Sequence, residues 1–272
     1  MLIKIVRFLA RRLPEGVSYV LIELLASIPS TPPLKESDRR ILSLARKFRF
    51  GPKGKNTAWA WGDGPPVVFV HGWSGRGSQL ATLADHVARQ GFRSVVFDVT
   101  AHGESKGLRI TFRDFISDVA ELTAALDKPV FAYVAHSAGG LGMMAARELS
   151  GIRAGRYVCI CAPRSPYVPI RDIRRILDPP EAVLDRFKAY YSGHFDATWE
   201  EMDRNRAYAP SDNDSLLLVY DEDDDRVEHT DGERIQAVWP SARVLKTKAL
   251  GHLKVLREQQ VMDEVVEFLQ RD

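Results

Sequence analysis

The chain has 272 residues, 45% of them hydrophobic and 27% charged, with a formal net charge of +2. That is length and apolar content enough for a sizeable α/β core, and the near-neutral balance excludes a protein held to nucleic acid by its phosphates. Basic runs such as Arg171, Arg174 and Arg175 read as solvated helix faces, and two cysteines are too few for a disulfide framework or a complete zinc site.

At the start of the chain, Lys4, Arg7, Arg11 and Arg12 precede an apolar run from Val17 to Ile28. The basic region is too long for a secretion signal, Glu23 interrupts the apolar run, and no A-x-A site follows. No stretch is long enough to span a bilayer. Residues 1 to about 47 read as two or three helices, broken at Pro14 and at the turn Ser30 to Pro33. They make an N-terminal helical arm over residues 1–50, expected to pack on the domain that follows. Peripheral membrane contact through Leu2, Ile3, Ile5, Val6 and the basic residues is the secondary reading.

From residue 51 to 272 the pattern changes to strands alternating with helices. Asn56 to Trp61 reads as a short strand, and the turn Gly62 to Pro66 leads into the unbroken apolar run Val67 to Val70. A continuous apolar run between turn residues suits a strand covered on both faces. His71, Gly72 and Trp73 follow it. A helix over Gln79 to Arg89, a strand over Ser94 to Phe97 ending in Asp98, and a helix from about Thr111 to Leu126 come next.

The run Val130 to Met143 then passes from apolar residues through Ser137 into small residues and an alanine-rich helix. This spells strand, sharp turn, helix, with Ser137 at the apex and only small residues, Ala135 and Gly139, two positions either side. Strand Tyr157 to Cys161 carries Cys159 and Cys161 in alternation, so their side chains are expected to point the same way. Buried free thiols of this kind suit a reducing cytoplasm. The rhythm breaks over about 164–214, where an aromatic-rich helical insert could form a cap. It resumes with strand Ser215 to Tyr220, a helix from about Thr230 to Val238, strand Ala242 to Thr247, and a helix from about Glu258 to Leu269. Such alternation means a mostly parallel central sheet with helices on both faces.

A serine hydroxyl needs a base within hydrogen-bond reach and a carboxylate to hold that base in the right tautomer. His252, just past the last strand and preceded by Gly251, is the candidate base among seven histidines. His71 and His102 sit in H-G loops where a hydrogen-bonding role is expected. His136 packs beside the elbow strand, His194 belongs to the insert, and His86 and His229 to helices or their approaches. Candidate acids crowd the end of strand Ser215 to Tyr220 at Asp221, Asp223, Asp224 and Asp225. A calcium loop is excluded there, because Arg226 stands where Gly is needed and Gly232 where Glu is needed. An oxyanion would take the backbone N–H of Ala138, at a helix N-terminus, and of Trp73, after the strand Val67 to Val70.

These pieces, H-G-W at His71 to Trp73, D-V-T-A-H-G-E-S at Asp98 to Ser105, A-H-S-A-G-G at Ala135 to Gly140, Y-D-E-D-D at Tyr220 to Asp224 and L-G-H at Leu250 to His252, resemble the α/β-hydrolase superfamily. The resemblance covers nearly all the chain from Asn56 onward and departs from the family in having Ala135 for the first elbow glycine. The family's acid loop commonly reads h-G-x-x-D; Asp221 stands at its Gly, which implies Asp224 as the acid. The resemblance implies a serine hydrolase of the carboxylesterase kind acting on a small-molecule ester, with Ser137, His252 and Asp224 as its triad. A thioesterase or lipase-like enzyme, or a non-catalytic binding protein, are the alternatives. No metal or organic cofactor and no nucleic-acid partner is implied.

Overall fold

The computed structural model describes residues 2–211 and 213–271, with Leu2 described in its backbone only. Helices α1 (Leu2–Arg12) and α2 (Glu15–Ala26) are separated at Pro14, which lacks the N–H that would continue α1. Helix α3 (Glu36–Ser43) follows, then strand β1 (Arg46–Phe50). The sequence reading has no strand there, since Arg46, Lys47 and Arg49 break any apolar run. Strand β1 is an edge strand, its charged residues exposed and Phe50 buried, antiparallel to β2 (Asn56–Trp61).

Beyond β2 the α/β rhythm appears as expected: β3 (Pro66–Val70), α4 (Ala81–Ala88), β4 (Arg93–Asp98), α5 (Phe112–Ala125), β5 (Ala132–His136), α6 (Ala138–Leu149) and β6 (Arg156–Ile160). Helix α5 begins on a reciprocal cap: Thr111 Oγ1 accepts from the Asp114 N–H while Asp114 accepts from the Thr111 N–H. Such a cap typically contributes about 1 kcal/mol. An insert follows β6 and holds α7 (Tyr167–Leu177), α8 (Glu181–Ser192) and α9 (Trp199–Asp203). The chain closes with β7 (Ser215–Asp221), α10 (Asp231–Val238), β8 (Arg243–Thr247), α11 (Gly251–Lys254) and α12 (Gln259–Gln270).

The eight strands form one sheet in the order β1-β2-β4-β3-β5-β6-β7-β8, antiparallel at β1–β2 and β2–β4 and parallel elsewhere. Alternate residues feed two cores. Tyr133 and Ala135 of β5 join one with Phe115 of α5 and Met143 of α6, while Ala132 and Val134 join the other with Leu83 of α4 and Val265 of α12. Burial on both faces explains why these strands read as continuous apolar runs.

A third core is built between segments far apart in sequence. Ala10 of α1 and Ile22 of α2 pack with Ile170, Ile173, Val183, Leu184 and Phe187 of α7 and α8. The insert's Phe195 and Tyr208 are instead part of the main core. Its aromatics are thus largely consumed in packing.

One local expectation is overturned. Cys159 lies in the first sheet core and Cys161 in the second, so the two thiols do not point the same way. Strand β6 ends at Ile160, and Cys161 adopts a left-handed φ of 47°, which breaks the alternation. Both cysteines are free and buried.

Candidate active site

The chain runs from β3 to its neighbour β4 and then crosses to β5 on the other side of β3. Such a reversal opens a crevice at the carboxyl ends of the strands. Ser137 stands there, between β5 and α6, with φ 55° and ψ −130°. A non-glycine residue held so costs about 1–3 kcal/mol and persists only where its surroundings impose it. Here the Ser137 N–H donates to the Ile160 carbonyl at 3.0 Å, and the turn beyond leaves no space: a Cβ on Gly139 would lie 2.5 Å from the Val70 carbonyl oxygen. Ala135 is fully buried in the first core, so its methyl is accommodated as packing.

His252 comes to the serine from the far end of the chain. Its Nε2 is 3.0 Å from Ser137 Oγ, and its Nδ1 is 2.7 Å from Asp224 Oδ2. With Nδ1–H donated to the carboxylate, Nε2 is left to accept from the hydroxyl. Asp224 Oδ1 accepts the N–H groups of Arg226 at 2.7 Å and Val227 at 3.0 Å. Burial raises the cost of its charge, but the hydrogen bonds from His252 and the two N–H groups outweigh this and hold its carboxyl below the ordinary carboxylate range. Asp225 is well exposed and Asp223 accepts from the Ala249 N–H at 2.8 Å, so neither reaches the imidazole in place of Asp224.

Three further groups, whose part sequence reasoning did not identify, surround this line. Asp221, buried at the end of β7, accepts N–H groups from Gly251 at 2.8 Å, Leu250 at 3.2 Å and Asp223 at 3.1 Å, and the Thr247 hydroxyl at 2.8 Å. It therefore ties the acid loop to the histidine loop. His136 donates from Nε2 to the His252 carbonyl at 2.9 Å; burial, then the neighbouring His252, push its own pKa down to about 3. The Cys161 thiol is close enough to hydrogen-bond Asp224, and burial, then the charge of Asp224, push its pKa up. Only the position of Asp221, at a strand end opposite a glycine-histidine loop, offered a signal in the sequence. The other two contacts depend on which strand tops meet.

Gly72 and Trp73 line the crevice from the β3 side. A Cβ on Gly72 would stand 2.8 Å from Ser137 Cβ, so glycine is what allows this backbone to lie against the serine. Among the described residues neither the Trp73 nor the Ala138 N–H has a protein acceptor. The Trp73 indole is 39% exposed and meets the His102 ring edge-on, so it is not core packing.

His71 and His102 serve the loops. His71 donates from Nδ1 to the Gly72 carbonyl at 2.7 Å and accepts at Nε2 from the Val99 N–H at 3.1 Å. His102 donates to the Thr100 carbonyl at 2.9 Å and accepts from the Ser74 N–H at 3.0 Å. Acting as donor and acceptor at once requires neutral rings, and burial lowers the pKa of both.

The chain is 37% identical over 132 residues to the non-heme chloroperoxidase CPO-A1 of Kitasatospora aureofaciens, covering 47% of each chain. It is 34% identical over 96 residues to a serine hydrolase-like protein of Homo sapiens, covering 33% of this chain and 47% of that one. The chain thus spans about half the length of the curated relatives it matches. Among solved structures it resembles an esterase of Pyrococcus furiosus, with a TM-score of 0.64, 17% identity, and coverage of 90% of this chain and 97% of the other. Carboxylesterase CesB of Bacillus subtilis gives a TM-score of 0.59 at 19% identity, covering 86% and 96%. At such identities the likeness is one of fold. The sequence model of the family described as alpha/beta hydrolase fold matches residues 65–251, from β3 to the loop that carries the histidine, and the chain belongs to that family.

Proposed function

We propose that this chain is a serine hydrolase that cleaves small or medium acyl esters through an acyl-enzyme. The observation that carries the reading is the unbroken line from Ser137 Oγ to His252 Nε2, at 3.0 Å, and from His252 Nδ1 to Asp224 Oδ2, at 2.7 Å. Family membership and the strained backbone at Ser137 support it.

Ser137 Oγ attacks the ester carbonyl as its proton passes to His252 Nε2. Asp224, ionised, stabilises the imidazolium from the Nδ1 side. The carbonyl oxygen becomes an oxyanion that the N–H groups of Trp73 and Ala138 receive, the latter at the positive end of α6. His252 returns the proton to the departing alkoxide, which leaves as an alcohol, and the acyl group stays on Ser137. Water then attacks the acyl carbon, giving its proton to His252; collapse of the second oxyanion breaks the bond to Oγ, which recovers that proton. A carboxylic acid and free enzyme result.

The test is a fluorophosphonate probe together with a panel of activated esters of increasing acyl length. Labelling at Ser137 and turnover of a short or medium ester are expected, both abolished in Ser137→Ala. An unlabelled, folded wild type that turns over no ester would end the reading. The identity to a protein named a chloroperoxidase favours one further reading, oxidation of chloride by hydrogen peroxide to hypochlorous acid and water in the same crevice. Adding chloride and peroxide to wild type and Ser137→Ala distinguishes it from ester hydrolysis.

A further inference from the structure

Helices α1 and α2 bury one side each and leave the other uncovered. Ala10 of α1 and Ile22 of α2 pack on α7 and α8, Val6 is buried on the same side of α1 as Ala10, and Ser18 of α2 faces α1, its hydroxyl donating to the Ala10 carbonyl at 2.9 Å. Both helices rest on the same helical pair, so the sides opposite these residues share one outer surface. On α1 that side carries Lys4, Phe8 and Arg12, spaced four apart and therefore stacked in one row. On α2 it carries Val17 and Val20. Phe8 is 60% exposed, Val17 51% and Val20 52%, an unusual concentration of apolar side chains on the outside of two adjoining helices.

The charge around these residues is mostly positive, with Glu23 of α2 the acidic residue nearest Val20 in the sequence. Helix α1 holds Lys4, Arg7, Arg11 and Arg12 and no acidic residue. Arg7 and Arg11 share the single carboxylate of Asp178, and Arg12 lies over the Phe8 ring at 5.5 Å. The acid that begins α2, Glu15, is paired with Arg186. A second copy docked here about a two-fold axis would set one cationic row against the other, which repels. An anionic surface with an apolar layer beneath complements both the cations and the apolar side chains.

We propose that the outer face of α1 and α2 docks this protein onto an anionic lipid bilayer, with Phe8, Val17 and Val20 entering the interface and Lys4 and Arg12 meeting lipid phosphates. Val6 is buried and takes no part. Because α1 and α2 share a core with the insert that follows β6, docking places the insert one helix layer behind the membrane surface. The inference is independent of the reaction proposed for Ser137.

Sedimentation of the full chain with vesicles tests it, using phosphatidylcholine alone and phosphatidylcholine containing about one-quarter phosphatidylglycerol. The protein is expected to pellet with the anionic vesicles, and less so as salt is raised. Two double variants, Val17→Asp with Val20→Asp and Lys4→Glu with Arg12→Glu, should each lower vesicle affinity about tenfold or more. Circular dichroism melting checks that each stays folded, and the charge-reversed pair alters only exposed side chains. No binding to anionic vesicles, equal binding to both vesicle types, or binding unchanged in both folded variants would overturn the proposal. So would a dimer in lipid-free solution that Val17→Asp with Val20→Asp dissolves, because a second copy would then be the occupant.

Discussion

The Asp221 carboxylate accepts the Gly251 N–H at 2.8 Å, one residue before His252. The family pattern has glycine at that acid-loop position, so this chain has placed a buried charge where a hydrogen atom would suffice. Burial works against the Asp221 charge, yet the N–H and hydroxyl donors from the histidine loop and its own loop outweigh it and lower its pKa. Asp221→Asn puts an amide NH2 against N–H donors. We expect kcat to fall about 10- to 100-fold with KM little changed, through displacement of the imidazole, and stability to fall by about 1–3 kcal/mol. Steady-state kinetics and urea unfolding check both; unchanged kcat would show that the loop holds its place without the clamp.

The acid is tested by three single variants. Asp224→Asn should lower kcat about 10⁴-fold, because an amide no longer fixes the imidazole tautomer. Asp225→Asn, altering an exposed side chain, should stay within about threefold, and Asp223→Asn, which weakens one bond to Ala249, within about tenfold. A larger loss at either neighbour than at Asp224 would move the acid.

Gly72→Ala tests the crevice by space alone. The added Cβ would meet Ser137 Cβ at 2.8 Å and Oγ at 3.3 Å. Displacement of the Gly72–Trp73 peptide by even a fraction of an ångström should lower kcat/KM about 100-fold while the protein still melts cooperatively. Full activity in this variant would remove Trp73 from the oxyanion site.

Stability should depend on pH through buried imidazoles. His136 is held at about 3, and His71 and His102 are lowered, chiefly by burial. Above about pH 6.5 these rings are neutral in both folded and unfolded chains, and their contribution is intact. As pH falls from there towards 3, the unfolded chain binds protons that the fold excludes. Over that range His136 costs about 1.4 kcal/mol per pH unit, and His71 and His102 add to the loss in the same direction. Urea unfolding should show stability lower at pH 5 than at pH 7 by about 2 kcal/mol or more. A flat profile would mean the rings protonate in place.

The elements that were legible in the sequence were those whose environment is nearly uniform. Strands β3 to β7, covered on both faces, read as apolar runs, and the elbow read as an abrupt change from branched to small residues around Ser137. Strand β1 was illegible because an edge strand keeps alternate charged residues in water, so Arg46 to Phe50 lacks the apolar run by which the others were recognised. The alternation of Cys159 and Cys161 was misread because one left-handed residue at the strand end undoes a period of two. The outer apolar face of α2 was hidden in a run that also contains buried Ile22; composition alone does not say which side of a helix finds a partner.

By itself, the sequence determined the order of strands and helices from β2 to β8, the serine at its turn, and a histidine and a set of carboxylates at later strand ends, because these depend on local periodicity and turn chemistry. Only the tertiary structure decided that Asp224 faces His252 while Asp221 clamps its loop, that His136 holds the His252 carbonyl, and that the first two helices share a core with an insert about 150 residues away. Those relations depend on which strand ends the sheet order brings side by side, and sheet order is set by long-range packing that no local stretch of sequence contains.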